Sequence, residues 1–161
     1  MLREVDTNKP NDDGIGVDWT RINYSTKGAA FRSIEPNIGT AQVGELVAIK
    51  KDTDSAITLG IVRWVHATND GCISLGMEFI SNVVMPVELT RDNADDGVTD
   101  EALIIGCRID GKVTQTILLP GYRFNTGDRL TASQVEKRKQ IKLGQCIQSN
   151  GMFSQFVLNQ A

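Results

Sequence analysis

Apolar residues in this chain recur at every second position over short spans, and Gly, Asn and Asp separate the spans. The clearest span is CISLGMEFI, where Ile73, Leu75, Met77 and Phe79 alternate with Cys72, Ser74, Gly76 and Glu78. A period of two puts one apolar row on one side of an extended chain, the pattern of a half-buried antiparallel strand. GVDWTRINYS, GAAFRSI, GELVAIKK and ITLGIVRWVHA precede it and are similarly rich in β-branched or aromatic residues. TNDG, residues 68–71, lies between the last of these and CISLGMEFI and predicts a hairpin.

EALIIGCRI, GKVTQTILLP, RLTAS, KQIKLGQCIQ and SQFVLNQ follow, with Asp110-Gly111 predicting a second hairpin. No stretch keeps a helical period over three turns, although ASQVEKRKQIKL is a short-helix candidate if TAS caps it. The chain therefore reads as all-β, either two small β modules or one extended barrel. Residues 1–14, with Pro10 and NDDG, read as a polar tail or linker. Residues 91–101 belong to TRDNADDGVTDE, which holds five acidic residues, and read as an acidic linker.

Composition removes several function classes. A chain of 161 residues with a formal charge of −3 has no general attraction for polyanions, so neither DNA nor RNA is an expected partner. The basic run Lys137, Arg138, Lys139 and Lys142 lacks interleaved aromatics and reads as a solvated hairpin face. Cys72, Cys107 and Cys146 have no CxxC spacing and read as buried free thiols in a reducing compartment. With no apolar leader and no run long enough to span a membrane, the expected location is the cytoplasm.

Catalytic chemistry has little to stand on. His66 is the single histidine, follows RWV in a strand, and reads as a strand-end or core residue. No metal site is expected, and DNADDG lacks the flanking helices and the ligand spacing of a calcium loop. Trp19 and Trp64 read as core anchors among strand formers. No enzyme and no cofactor are expected.

INYSTKG, residues 22–28, carries Asn23, Ser25 and Gly28 in an NxSxxG pattern, and VGELVAI, GIVRW and LGMEF follow in order. This succession resembles the PilZ domain, a small antiparallel β-barrel that serves bacteria as a receptor for cyclic di-GMP. The resemblance implies a PilZ-like β-barrel over 15–90 and a β-rich extension or second small β module over 102–161, at the C-terminal region of a larger bacterial protein. It implies that Asn23 and Ser25 hydrogen-bond a guanine or its phosphate, and that Gly28 leaves room for the ligand to approach. The family's ligand-binding members also carry RxxxR before the barrel, and here only Arg3 and Arg21 precede Asn23. Arg21, two residues before Asn23, would share its face in a regular strand, and Arg3 would reach in from the tail. The missing motif favours a signalling domain that has lost or weakened cyclic di-GMP binding and acts on a protein partner or on upstream domains. The alternative is a working receptor whose arginines come from an unconventional arrangement or from outside the chain.

Overall fold

The computed structural model describes residues 3–6, 19–36, 41–50, 57–91, 99–121, 123–134 and 137–160. Those residues form β1 (Arg3–Asp6), β2 (Trp19–Tyr24), β3 (Gly28–Ser33), β4 (Leu46–Lys50), β5 (Ile57–Ala67), β6 (Ile73–Ser81) and β7 (Val84–Arg91). They continue with β8 (Thr99–Ile109), β9 (Lys112–Pro120), β10 (Arg129–Gln134), β11 (Lys137–Ser149) and β12 (Phe153–Gln160). No helix occurs among the described residues, and the fold is all-β as the alternation predicts. The chain divides into two compact units, Met1–Asn82 and Val83–Ala161.

In the first unit the strands lie in the order β1-β4-β5-β6-β3-β2. The β5–β6 hairpin turns where TNDG predicts it: Thr68 N–H donates to the Cys72 carbonyl at 2.8 Å, and Gly71 N–H donates back to the Thr68 carbonyl at 3.0 Å. Gly71 takes φ of 78°, which a side chain would resist. Trp19, Phe31, Val47, Ile49, Val62, Leu75 and Met77 form the core, and each large side chain among them stabilises the unit by about 1.5–3 kcal/mol. Trp19 is thus the core anchor its surroundings predict.

The expected tail is partly a strand. Arg3–Asp6 pairs in parallel with β4, Arg3 opposite Val47 and Asp6 opposite Lys50. Backbone pairing at the end of a sheet does not need an apolar side chain, so a polar segment can add there. Residues 1–2 and 7–18, the rest of the expected tail and the first positions of the expected barrel, lie outside the described residues.

The second unit is a closed barrel in the order β10-β11-β12-β9-β8-β7, with β7 pairing back onto β10. Leu89, Ile104, Ile117, Leu119, Leu130, Ile141, Leu143 and Phe156 fill its interior. Asp110 and Gly111 turn β8 into β9 with φ of 48° and 79°, the two left-handed residues of a tight hairpin. The short-helix candidate is instead the β10–β11 hairpin, registered from Arg129 opposite Lys142 to Gln134 opposite Lys137. Leu130, Ala132, Ile141 and Leu143 are buried at alternate positions there, so the governing period is two. The cations between them lie exposed, as a solvated hairpin face would.

The expected boundary at residue 90 also moves. VMPVELTR is β7, whose Pro86 argues against a central strand on sequence grounds. It is tolerated because β7 pairs with β10 only over Glu88–Arg91, leaving that side of Pro86 open. Of the expected acidic linker, 91–101, Arg91 ends β7 and residues 99–101 begin β8, two paired strands of one barrel, and residues 92–98 lie outside the described residues. The three cysteines are free, with Cys72 buried, Cys107 partly buried and Cys146 exposed. Bulges on either side of Cys146 break the alternation of β11, which is why its thiol is not buried as expected.

Candidate functional site

INYSTKG ends β2, turns and begins β3. Ser25 N–H donates to the Gly28 carbonyl at 2.8 Å, and the Ser25 hydroxyl accepts from Lys27 N–H and Gly28 N–H, both at 3.2 Å. Much of the bonding capacity of Ser25 is thus used in holding the turn, the local role expected of a Ser at such a position. Gly28 has a packing reason of its own to be glycine. A Cβ there would stand 2.3 Å from the Met77 carbonyl oxygen, so its bareness admits the neighbouring strand.

A bulge between Arg21 and Asn23 breaks the alternation of β2. Arg21 pairs with Phe31 and Tyr24 with Ala29, while Asn23 pairs with Ala30. Paired residues share a face, so Arg21 stands with Tyr24 on the side of Phe31, and Asn23 points the other way. The Arg21 guanidinium lies 5.4 Å from the Tyr24 ring centre, and Tyr24 packs on Phe79 with ring centres 5.5 Å apart. The expectation that Arg21 shares the face of Asn23 and Ser25 therefore fails on the extra residue, Ile22. Arg3 lies on β1, at the opposite end of the strand order from β2.

The face of Asn23 leads to other residues. Asn23 pairs with Ala30, Ala30 with Gly76, and Gly76 with Trp64, giving a single row across β2, β3, β6 and β5. Small residues in the middle of the row leave a groove of about 340 Å³, lined by Asn23, Ser25, Lys27 and Gly28 on one side and Arg63, Trp64 and Glu78 on the other. Trp64 is 45% exposed, against its expected role as a core anchor. Its indole lies so close over Gly76 that a Cβ on that glycine would come within 2.0 Å of Nε1. The indole is thus held close against Gly76 of β6 while nearly half of the residue stays exposed.

Arg63 donates from Nε to Glu78 Oε2 at 2.8 Å, with 49% and 53% of the two side chains exposed. A pair so open adds at most about 1 kcal/mol to stability, and its chemical edges remain accessible. Asn23 accepts from Tyr24 N–H through Oδ1 at 2.6 Å, which leaves its amide NH₂ as the donor it can offer. Two cations and one carboxylate thus surround a floor of alanine and glycine beside an exposed indole. Such a surface can stack a flat base and hydrogen-bond its edge.

His66, opposite Ser74, is exposed near the end of β5. Among the described residues there is no group of three or more potential metal ligands and no helix long and apolar enough to cross a membrane. A family model described as the cyclic-di-GMP receptor FimW, middle PilZ domain, matches residues 5–86, about half of the chain. Comparison with curated proteins and with solved structures found no match.

Proposed function

The chain belongs to the family of the middle PilZ domain of the cyclic-di-GMP receptor FimW, and from that membership we propose that its first unit binds cyclic di-GMP in the groove beside INYSTKG. The carrying observation is that β5 brings Arg63 and Trp64 to the same groove as Asn23 and Ser25. They are an unconventional supply of the guanidinium and stacking surface that RxxxR would otherwise provide in part. In this reading Trp64 stacks one guanine, Asn23 donates to it, Lys27 attracts its phosphate, and Ser25 holds the turn that carries Lys27. A volume of about 340 Å³ is at the lower end of ligand sites, which suits one guanosine half with the other extending beyond the groove. Neither Arg21 nor Arg3 contributes to binding in this proposal. The domain works in the cytoplasm, where binding is passed to a protein partner or to other domains of the same polypeptide.

The competing reading is a domain that has lost the ligand and only docks a protein, supported by the use of Ser25 in the turn and by the placement of Arg21 on the other face. Calorimetric titration of cyclic di-GMP into the chain separates the two. Saturable binding is expected, weakened about 5- to 150-fold by Trp64→Ala, since stacking on an aromatic is worth about 1–3 kcal/mol per base. Arg21→Ala is expected to leave it unchanged. No saturation by the wild type would establish the docking module instead.

A further inference from the structure

We propose that the Arg63–Glu78 pair reads the Watson–Crick edge of the guanine stacked on Trp64, and that Glu78 sets the preference for guanine over adenine. This inference rests on the receptor reading and adds to it the residue that selects the base. Glu78 shares strand and face with Gly76, the residue beneath the indole, and it pairs with Gly28 across β3. Its carboxylate is therefore placed one step along the groove from the stacking surface. The bond from Arg63 Nε to Glu78 Oε2 occupies one donor of a group that has five and one oxygen of a group that has two.

What remains is a donor edge beside an acceptor edge, held together. Guanine presents the complementary order, with O6 accepting next to N1–H and the 2-amino group donating. The guanidinium fits O6 and the carboxylate fits N1–H and the amino group. Adenine reverses that order: its 6-amino group would face the guanidinium and its N1 lone pair would face the carboxylate. Both contacts are repulsive, and discrimination through a misplaced polar group is stronger than discrimination through shape alone. A phosphate in the same place would have to take Arg63 while standing beside the Glu78 carboxylate, so the pair suits a base and leaves Lys27 for phosphate.

The test is titration of the full chain, wild type and variants, with cyclic di-GMP and cyclic di-AMP. The wild type is expected to prefer cyclic di-GMP by about 10- to 100-fold, the range of a good two-point base contact. Glu78→Gln keeps the size of the side chain and supplies an amide that donates to adenine N1, so it is expected to narrow that ratio about tenfold or more, partly by gaining affinity for cyclic di-AMP. An unchanged ratio in Glu78→Gln would overturn the proposal. Glu78→Ala separates selection from support of Arg63: a narrowed ratio supports the proposal, and equal weakening of both ligands with the ratio kept overturns it. Binding of neither nucleotide by the wild type would overturn the receptor reading itself, and this inference with it.

Discussion

Gly28 and Gly76 face the same sheet surface and lack side chains for opposite reasons. At Gly28 an added Cβ would meet a backbone oxygen, that of Met77, at 2.3 Å; at Gly76 it would meet the Trp64 indole at 2.0 Å. A strand backbone cannot yield without disturbing its register, whereas a half-exposed side chain can swing away. Gly28→Ala is therefore expected to destabilise the first unit by about 1–3 kcal/mol, read as a lowered thermal midpoint, and a wild-type midpoint would contradict the close approach. Gly76→Ala is expected to lower the midpoint far less, to shift the indole emission, and to weaken cyclic di-GMP binding through the displaced stacking surface. Asp70, at the β5–β6 turn, makes a separate residue-scale case. It accepts from the Thr68 hydroxyl and Cys72 N–H and pairs with Arg32, and its carboxyl is lowered from 3.8 to about 2, with the Thr68 bond the largest cause. A depressed carboxyl stabilises the folded state fully above its unfolded value and loses that contribution as pH falls through the folded one. Asp70→Asn should thus be less stable than wild type at pH 7, and the gap between their denaturation midpoints should close from pH 3.8 down through about 2. A gap that stays constant across that window would count against this role for the carboxylate.

Among the elements, β5 and β6 show how much of the site the sequence held. TNDG fixes the turn, and stepping back from it sets Ala67 opposite Ile73, His66 opposite Ser74, Val65 opposite Leu75 and Trp64 opposite Gly76, the register observed. Trp64 was therefore legible as a residue of the Ser74, Gly76 and Glu78 face; composition of the surrounding segment pointed to the core, while register points outward. The next step is not legible, because a bulge falls between Val62 and Trp64 and sends Val62 to the core side. The bulge in β2 has the same effect on Arg21 and Asn23. A single inserted residue reverses every face assignment beyond it, and no local composition marks either bulge as distinct from a regular strand. The order NYSTKG, VGELVAI, GIVRW and LGMEF was sufficient for the family and the all-β class, because those depend on which strands exist. The groove depends on their register. Deleting Ile22 would remove the extra residue and leave Arg21 opposite Phe31 and Asn23 opposite Ala30, now as adjacent residues that face opposite ways in a regular strand. The deletion variant, provided its thermal transition remains cooperative, should therefore bind cyclic di-GMP as the wild type does and stay indifferent to Arg21→Ala. An affinity that becomes sensitive to Arg21→Ala would mean that β2 has changed its pairing with β3 instead of closing the bulge.

For the molecule as a whole, the family match covers the first unit and extends only into β7, whereas ring closure belongs to the second. All residues lining the groove lie before Asn82, so the proposed ligand site draws on one unit. The second unit has the features a free-standing domain needs: every strand is paired on both sides of its ring, and it has a core of its own centred on Leu89, Ile117, Leu119, Leu130 and Leu143. Ring closure also leaves little unpaired strand edge to aggregate among the described residues, the open stretch being the β10 side of β7 around Pro86. Val83–Ala161 expressed alone is accordingly expected to unfold in one cooperative thermal transition, with the β signature in circular dichroism, and to bind no cyclic di-GMP. Within it, Leu130→Ala removes a side chain that is 1% exposed and is expected to cost about 2–5 kcal/mol. In the full chain, that same substitution should lower the stability of the second unit and leave cyclic di-GMP affinity unchanged below the transition. An isolated second unit without a cooperative transition would show that its ring is not self-sufficient, and an affinity that falls with Leu130→Ala would show that the site depends on both units.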